Sequence, residues 1–156
     1  MAFTVDISLQ REFTTSGGFD AVFALLADVP RSAAHFPKVD ALVDLGGNVF
    51  RWEMEKIGIG SYTLQQTVYA CLYRDDAAAG RVFWEPVKGV GNAVVDGEWN
   101  VRQTTAGTAV TLNTRGSLTV DFPSFLQFML APLVEMEFTG MVDQYIVNLK
   151  ESFSRL

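Results

Sequence analysis

Hydrophobic and polar positions in the tail of the chain follow the period of an α-helix. From Pro132 onward, apolar side chains recur at spacings of three, four and one, which places them on a single stripe of a helix. The stripe comprises Val134, Phe138, Met141, Val142, Tyr145, Ile146, Leu149 and Phe153. Proline suits the first turn of a helix, where its missing N–H costs nothing. The pattern therefore predicts one long amphipathic helix that begins at Pro132.

Between Val39 and Val120 the pattern changes to the two-residue period of β-strands. The clearest example is Phe50, Trp52 and Met54, which alternate with charged neighbours. We expect one long strand over Ser61–Tyr73, with Tyr62, Leu64, Gln66 and the following even-numbered positions on one face. Further strands are predicted around Val82 and Trp84, over Asn92–Thr104 and over Thr108–Val120. Short turns between them indicate an antiparallel meander.

The N-terminal segment contains a strand followed by two short helices. Phe3, Val5, Ile7 and Leu9 alternate with polar residues, as in a half-buried strand. Helices are predicted over Phe19–Asp28 and Arg31–Phe36, separated by Pro30 and followed by Pro37. The element order indicates an α+β fold in which a curled sheet needs an apolar cover. The final helix is the one predicted element long enough to provide that cover.

Length and charge narrow the classes of function. The 156 residues, 1–156, fit one domain. A net charge of −6 argues against nucleic-acid binding, which needs basic patches. Cys71 is alone, so there is no disulfide framework. The apolar run Phe125–Val134 is too short to span a bilayer, and the alternating N-terminus is unlike a secretory signal. We expect a cytoplasmic protein without stable membrane insertion; transient membrane contact and the oligomeric state stay open.

Four local patterns bear on the family: Phe19–Asp28, His35-Phe36-Pro37, Trp84-Glu85-Pro86-Val87 with Gly97-Glu98-Trp99, and Leu130-Ala131-Pro132-Leu133. Together they resemble the START-like (SRPBCC) superfamily of polyketide cyclases, lipid-transfer domains and birch-pollen-allergen proteins. The resemblance implies a helix-grip fold, in which a curved antiparallel sheet of about seven strands wraps around a long C-terminal helix. It also implies a cavity for hydrophobic ligands between the sheet and that helix. It does not imply one reaction.

A set of mostly aromatic positions is predicted to line this cavity and bind a ligand. The set is Phe50, Trp52, Met54, Tyr62, Leu64, Gln66, Trp84, Trp99, Leu112, Thr114, Phe138, Met141 and Tyr145. Gln66 and Thr114 lie in otherwise apolar registers, so each needs a backbone, water or ligand partner. The alternative is that the aromatic side chains fill a closed core. The apolar segment Phe125–Ala131 is predicted to act as a gate that moves about Pro132.

Candidate catalytic and metal-binding groups are sparse. The carboxylates of Glu53, Glu55, Glu85, Asp96 and Glu98 are predicted to point away from the cavity. His35 is the single histidine, and no metal-ligand spacing accompanies it. We therefore predict no catalytic residue, no metal and no cofactor.

The sequence favours binding or transport of a hydrophobic small molecule such as a lipid, sterol, quinone or polyketide. One alternative is a polyketide cyclase/aromatase or related lyase, in which Gln66, Thr114 or a tyrosine steers proton transfer. A titratable group inside the cavity would favour that reading. A second alternative is a protein–protein interaction module, against which a continuous apolar cavity would argue.

Overall fold

The computed structural model describes residues 2–59 and 61–156, with the side chains of residues 59 and 64 also outside the description. Its elements are β1 (Phe3–Thr15), α1 (Phe19–Ala27), α2 (Val29–Ala33), β2 (Val39–Gly46), β3 (Val49–Met54), β4 (Ile57–Ile59), β5 (Tyr62–Gln65), β6 (Val68–Asp76), β7 (Arg81–Pro86), β8 (Ala93–Thr104), β9 (Gly107–Val120), a 3₁₀ turn (Ser124–Leu126) and α3 (Gln127–Phe153).

Seven strands form one antiparallel sheet in the order β1-β9-β8-β7-β6-β3-β2, and β4 pairs with β5 in a separate two-stranded sheet. The long N-terminal strand closes onto the last strand, with Phe3 opposite Val120 and Thr15 opposite Thr108. The predicted α+β helix-grip architecture is thus confirmed. Alternation along β8 and β9 is as predicted, because Trp99 and Leu112 are buried and face each other across the ladder.

Helix α3 packs its apolar stripe against the sheet. Val134, Leu149 and Phe153 are completely buried, and the other predicted members of the stripe are buried with them. The predicted start at Pro132 was wrong, because α3 begins at Gln127 and contains Pro132 in its interior. Pro132 cannot donate to the carbonyl four residues earlier, yet Leu130 and Val134 are buried on either side of it. Their burial explains why the helix continues through the proline.

Two further boundaries differ from the sequence predictions. Ser61–Tyr73 is not one strand, because β5 ends at Gln65 and β6 starts at Val68 in the other sheet. Helix α2 covers Val29–Ala33 instead of Arg31–Phe36. Its N-cap is Asp28, whose Oδ1 accepts a hydrogen bond from the Arg31 amide at 3.2 Å. Phe36 consequently lies in the loop after the helix.

Within the described residues, one helical segment is long and apolar enough to cross a membrane by length and composition alone. This segment, Ser124–Phe153, comprises the 3₁₀ turn and α3. It is longer than the apolar run recognised in the sequence. Its buried stripe faces the sheet, as expected of a core helix. Its opposite side exposes Phe125, Phe128, Met129 and Met136.

Gly97 on β8 makes room for an indole ring. The cross-strand neighbours of this glycine are Trp84 on β7 and Thr114 on β9. A Cβ atom at position 97 would lie 2.6 Å from Trp84 Cζ2 and 2.6 Å from the Asn113 carbonyl oxygen. Such distances are far inside van der Waals contact, so Trp84 keeps its place over β8 because position 97 has no side chain.

Replacing this glycine should therefore destabilise the sheet and displace Trp84. We expect Gly97→Ala to lower the free energy of unfolding by about 1–3 kcal/mol, as other overpacking substitutions do. Gly116→Ala on β9 is the matched control, because its Cβ would meet Leu118 and Val95 at ordinary distances of 3.5 and 3.6 Å. Denaturant unfolding measures both. Equal stability of the two variants would contradict the steric role of Gly97.

Candidate functional site

A small cavity lies between α2, the concave face of the sheet and α3. Its volume is about 60 Å³. Seven of the predicted ligand-binding residues line it: Trp52, Trp84, Trp99, Leu112, Thr114, Phe138 and Tyr145. All three tryptophans of the chain are in this set.

The other predicted residues whose side chains are described do not line the cavity. Met54 and Met141 are buried in the core away from the cavity lining. Phe50 is buried beside Tyr73, with ring centroids 5.9 Å apart, and borders a neighbouring cleft instead. Tyr62 was placed wrongly, because 78% of its surface is exposed on β5. The side chain of Leu64 lies outside the described part of the chain.

Gln66 also lies outside the cavity, between β5 and β6. Its side-chain amide donates to the Met54 backbone carbonyl at 3.4 Å. The backbone carbonyl of Gln66 accepts from Asn92 Nδ2 at 2.7 Å. It satisfies the need for a partner through structural hydrogen bonds. Thr114 does line the cavity, and its hydroxyl donates to the Asp96 carbonyl at 3.0 Å.

Tyr69 and Tyr73 on β6 line the cavity and were not predicted to do so. The predicted register placed even-numbered residues inward, but the strand break before Val68 shifts the inward face to odd numbers. Both faces of this run carry apolar side chains, so alternation alone could not decide. The signal lay in cross-strand pairing, since Tyr69 stands opposite the inward-facing Trp52.

Helices α1 and α2 supply the other wall. The lining residues there are Leu26, Val29, Ser32, Ala33 and, just after α2, Phe36. The Phe36 ring lies 5.6 Å from that of Trp52 and 4.8 Å from that of Tyr145, by centroids. It thereby joins the loop after α2 to both the sheet and α3. Leu26 is on the buried face of α1, and no pattern in the sequence indicates that it borders a cavity.

Most polar groups in the cavity already have partners within the protein. Tyr73 Oη accepts a hydrogen bond from Trp52 Nε1 at 2.9 Å. The hydroxyls of Ser32 and Tyr145 are hydrogen-bonded to each other, which ties α2 to α3. The lining residues of the described cavity include no Asp, Glu, Lys, Arg or His. The site is therefore aromatic, with hydroxyl groups and without formal charge.

Burial keeps these hydroxyl groups protonated. Desolvation raises the pKa of Tyr69, Tyr73 and Tyr145 above the usual tyrosine value, and for Tyr145 the hydrogen bond with Ser32 partly opposes the shift. Desolvation also raises the pKa of the adjacent Cys71 thiol to about 12. At neutral pH the phenols act as hydrogen-bond donors or acceptors and not as proton-abstracting bases.

The charged residues considered from the sequence are outside the cavity. Glu85, Asp96 and Glu98 border a polar cleft on the outer face of the sheet, and the pKa of Glu98 is lowered by its hydrogen bond from Arg81. His35 Nδ1 donates to the Arg31 carbonyl at 2.8 Å, and Nε2 is hydrogen-bonded to the Ser152 hydroxyl at 2.7 Å. That histidine fastens the end of α2 to α3.

The predicted gate does not adjoin this cavity. None of the described residues in Phe125–Ala131 lines it, and Phe125 and Phe128 face solvent. The segment forms the 3₁₀ turn and the start of α3, so it is not a separate unit hinged at Pro132. Four partly exposed residues line the cavity: Phe36, Tyr73, Trp84 and Thr114.

Solved structures share this architecture. The Zhui aromatase/cyclase from Streptomyces sp. R1128 matches with a TM-score of 0.63 and 16% identity, over 96% of this chain and 92% of the other. A START superfamily protein from Mycobacterium smegmatis matches with a TM-score of 0.63 and 11% identity, over 97% and 98%. The chain has a START-like fold. The di-domain aromatase/cyclase StfQ of the steffimycin pathway matches with a TM-score of 0.61 and 12% identity, over 97% of this chain and 51% of that one.

Sequence comparison assigns the chain to no family, since no family model and no curated protein matches it. At these identities the structural likeness establishes the fold and leaves the ligand and any reaction open.

The buried tyrosines of this START-like cavity should make the protein sensitive to alkali. Above about pH 10 the unfolded chain ionises its tyrosines whereas the folded chain keeps Tyr69, Tyr73 and Tyr145 neutral. The free energy of unfolding should then fall by about 1.4 kcal/mol per pH unit for each of them.

The measurement is tyrosinate absorption of Tyr62→Phe, which leaves the three cavity tyrosines as the only ones in the chain. Their ionisation should coincide with loss of near-ultraviolet circular dichroism. Ionisation of all three while the fold persists would show that the cavity is open to hydroxide.

Proposed function

We propose that this protein binds a compact, neutral, aromatic or otherwise flat small molecule in the cavity between α2, the sheet and α3. The observation that supports it best is the composition of the lining, where tryptophan and tyrosine side chains surround a void without any formally charged group. Ligand sites are mostly apolar and contain a few polar groups that orient the ligand. The START-like fold is compatible with this role.

Cavity size favours a compact ligand over a sterol or fatty acid. A volume of 60 Å³ holds about two water molecules at their liquid density, whereas pockets for drug-sized ligands usually measure about 300–1,000 Å³. A ligand with one or two aromatic rings also exceeds this space, so it must displace side chains of the wall, but fewer of them than a sterol or fatty acid would. The half-buried Phe36, Tyr73 and Trp84 are best placed to move, since the other rings are enclosed by the core.

Filling the cavity should abolish binding without unfolding the chain. Ala33→Leu adds about three carbon atoms at a buried position of the lining. Ala34→Leu is the matched control, because Ala34 is the next residue and is exposed. We expect naphthalene and naphthoquinone to change tryptophan fluorescence saturably in the wild type and in Ala34→Leu, but not in Ala33→Leu.

Oleate and cholesterol belong in the same titration, because tighter binding of either would contradict the preference for compact ligands. Circular dichroism must show that Ala33→Leu remains folded. If neither the wild type nor Ala34→Leu responds to any of the four compounds, the binding proposal fails.

The route into the cavity is tested at Phe36. Its ring closes the space between α2 and the sheet, so Phe36→Ala should raise the association rate of naphthoquinone several-fold. Phe125→Ala is the control, since that ring is 73% exposed and remote from the lining. Stopped-flow fluorescence measures both rates. A faster rate in Phe125→Ala alone would place the entrance at the start of α3.

A second candidate function is an aromatase/cyclase activity on a bound polyketone. It is favoured by the tyrosine hydroxyls in the cavity and by the fold shared with the Zhui and StfQ proteins. A neutral phenol can stabilise the oxygen of a developing enolate by donating a hydrogen bond. The described lining offers no carboxylate or imidazole as the base, which is why binding is preferred. Loss of water from an added polyketone, followed by mass spectrometry, would reverse that preference.

A further inference from the structure

Tyr69 differs from the other hydroxyl-bearing residues of the cavity. The hydroxyls of Tyr73, Tyr145 and Thr114 each have a hydrogen-bond partner in the protein. Among the described residues, Tyr69 Oη has none. Tyr69 also lines the cavity, so its hydroxyl is the polar group of the wall to which the described residues give no partner.

The position of Tyr69 is fixed by its neighbours. Its ring is stacked on Trp52, with centroids 5.9 Å apart and planes 10° from parallel. The backbone of β6 also pairs Tyr69 directly with Trp52 of β3. Only 5% of the residue is exposed. A polar group held in this way needs little further ordering when a ligand arrives, so a hydrogen bond to it contributes more fully to affinity.

The surroundings of Tyr69 define the chemistry of its partner. A carboxylate ligand would lose its hydration in the cavity and would meet no positive charge there, because the described lining contains no Lys, Arg or His. A cationic ligand would lack a carboxylate in the same way. Burial keeps the phenol protonated, and a phenolic O–H donates well to a carbonyl oxygen. A flat neutral molecule with one carbonyl group satisfies all of these conditions.

We propose that Tyr69 anchors a neutral, carbonyl-bearing aromatic ligand by donating a hydrogen bond from its hydroxyl to the carbonyl oxygen. This assignment rests on the proposed binding function. It makes Tyr69 the residue that selects ketones and quinones over hydrocarbons of the same shape.

Two isosteric probes test the selection. Acetophenone has a carbonyl where α-methylstyrene has a methylidene group of similar size, and benzoate supplies the anionic counterpart. Affinities follow from titration of the indole N–H signals in nuclear magnetic resonance, since all three tryptophans line the cavity. Tyr69→Phe removes only the hydroxyl. Tyr62→Phe is the matched control, because it removes the hydroxyl of a tyrosine that is 78% exposed on β5 and does not line the cavity.

We expect the affinity ratio of acetophenone to α-methylstyrene to fall by about 3- to 10-fold in Tyr69→Phe, which corresponds to one neutral hydrogen bond. The ratio should stay unchanged in Tyr62→Phe, and benzoate should bind more weakly than acetophenone. The infrared C=O stretch of bound acetophenone should lie at lower frequency in the wild type than in Tyr69→Phe.

Binding of both neutral probes with an unchanged ratio in Tyr69→Phe would overturn the anchor while leaving the cavity a binding site. Tighter binding of benzoate would overturn the assignment of a neutral ligand. If neither neutral probe binds the wild type and the compounds of the preceding titration also fail, the anchor falls together with the binding function. If those compounds bind and the two probes do not, the anchor alone is refuted.

Discussion

The concave face of the sheet has to be covered by apolar side chains, and α3 supplies a single stripe of them. At the ends of the stripe, Val134 and Phe153 are completely buried and the contact is closed. Each large side chain buried there contributes about 1.5–3 kcal/mol, against a total stability of about 5–15 kcal/mol for a typical domain. Near the middle of the stripe, Phe138, Val142 and Tyr145 border the cavity. Aromatic rings from β3, β6, β7 and β8 fill part of the space between the sheet and the helix, and the unfilled part is the cavity.

The same packing determines the electrostatic character of the site. Charged side chains on the strands point outward, where Arg81 pairs with Glu98 and Arg115 pairs with Asp96. The interior is left with phenols, whose ionisation burial opposes. Such a site can orient an uncharged molecule by hydrogen bonds, and its described lining residues include no carboxylate or imidazole.

The sequence predicted the element order and most of the sheet, because strict alternation along β8 and β9 allows only one register. It predicted β6 wrongly, since Tyr69 and Val68 are both plausible inward residues until the pairing with Trp52 is known. The start of α3 was missed because a proline is more common in a first turn than in a helix interior. Cavity volume depends on the conformations of several rings together, and no periodicity in the sequence reports it.

The dependence of Trp84 on Gly97 has an evolutionary consequence. Trp84, in one wall of the cavity, keeps its position because residue 97 has no Cβ atom. A single nucleotide change can turn a glycine codon into one for alanine or serine. Either residue would bring a Cβ within 2.6 Å of the indole and of the Asn113 carbonyl. One mutational step in the sheet can thus alter the depth of this interior, while every residue that lines the cavity keeps its identity.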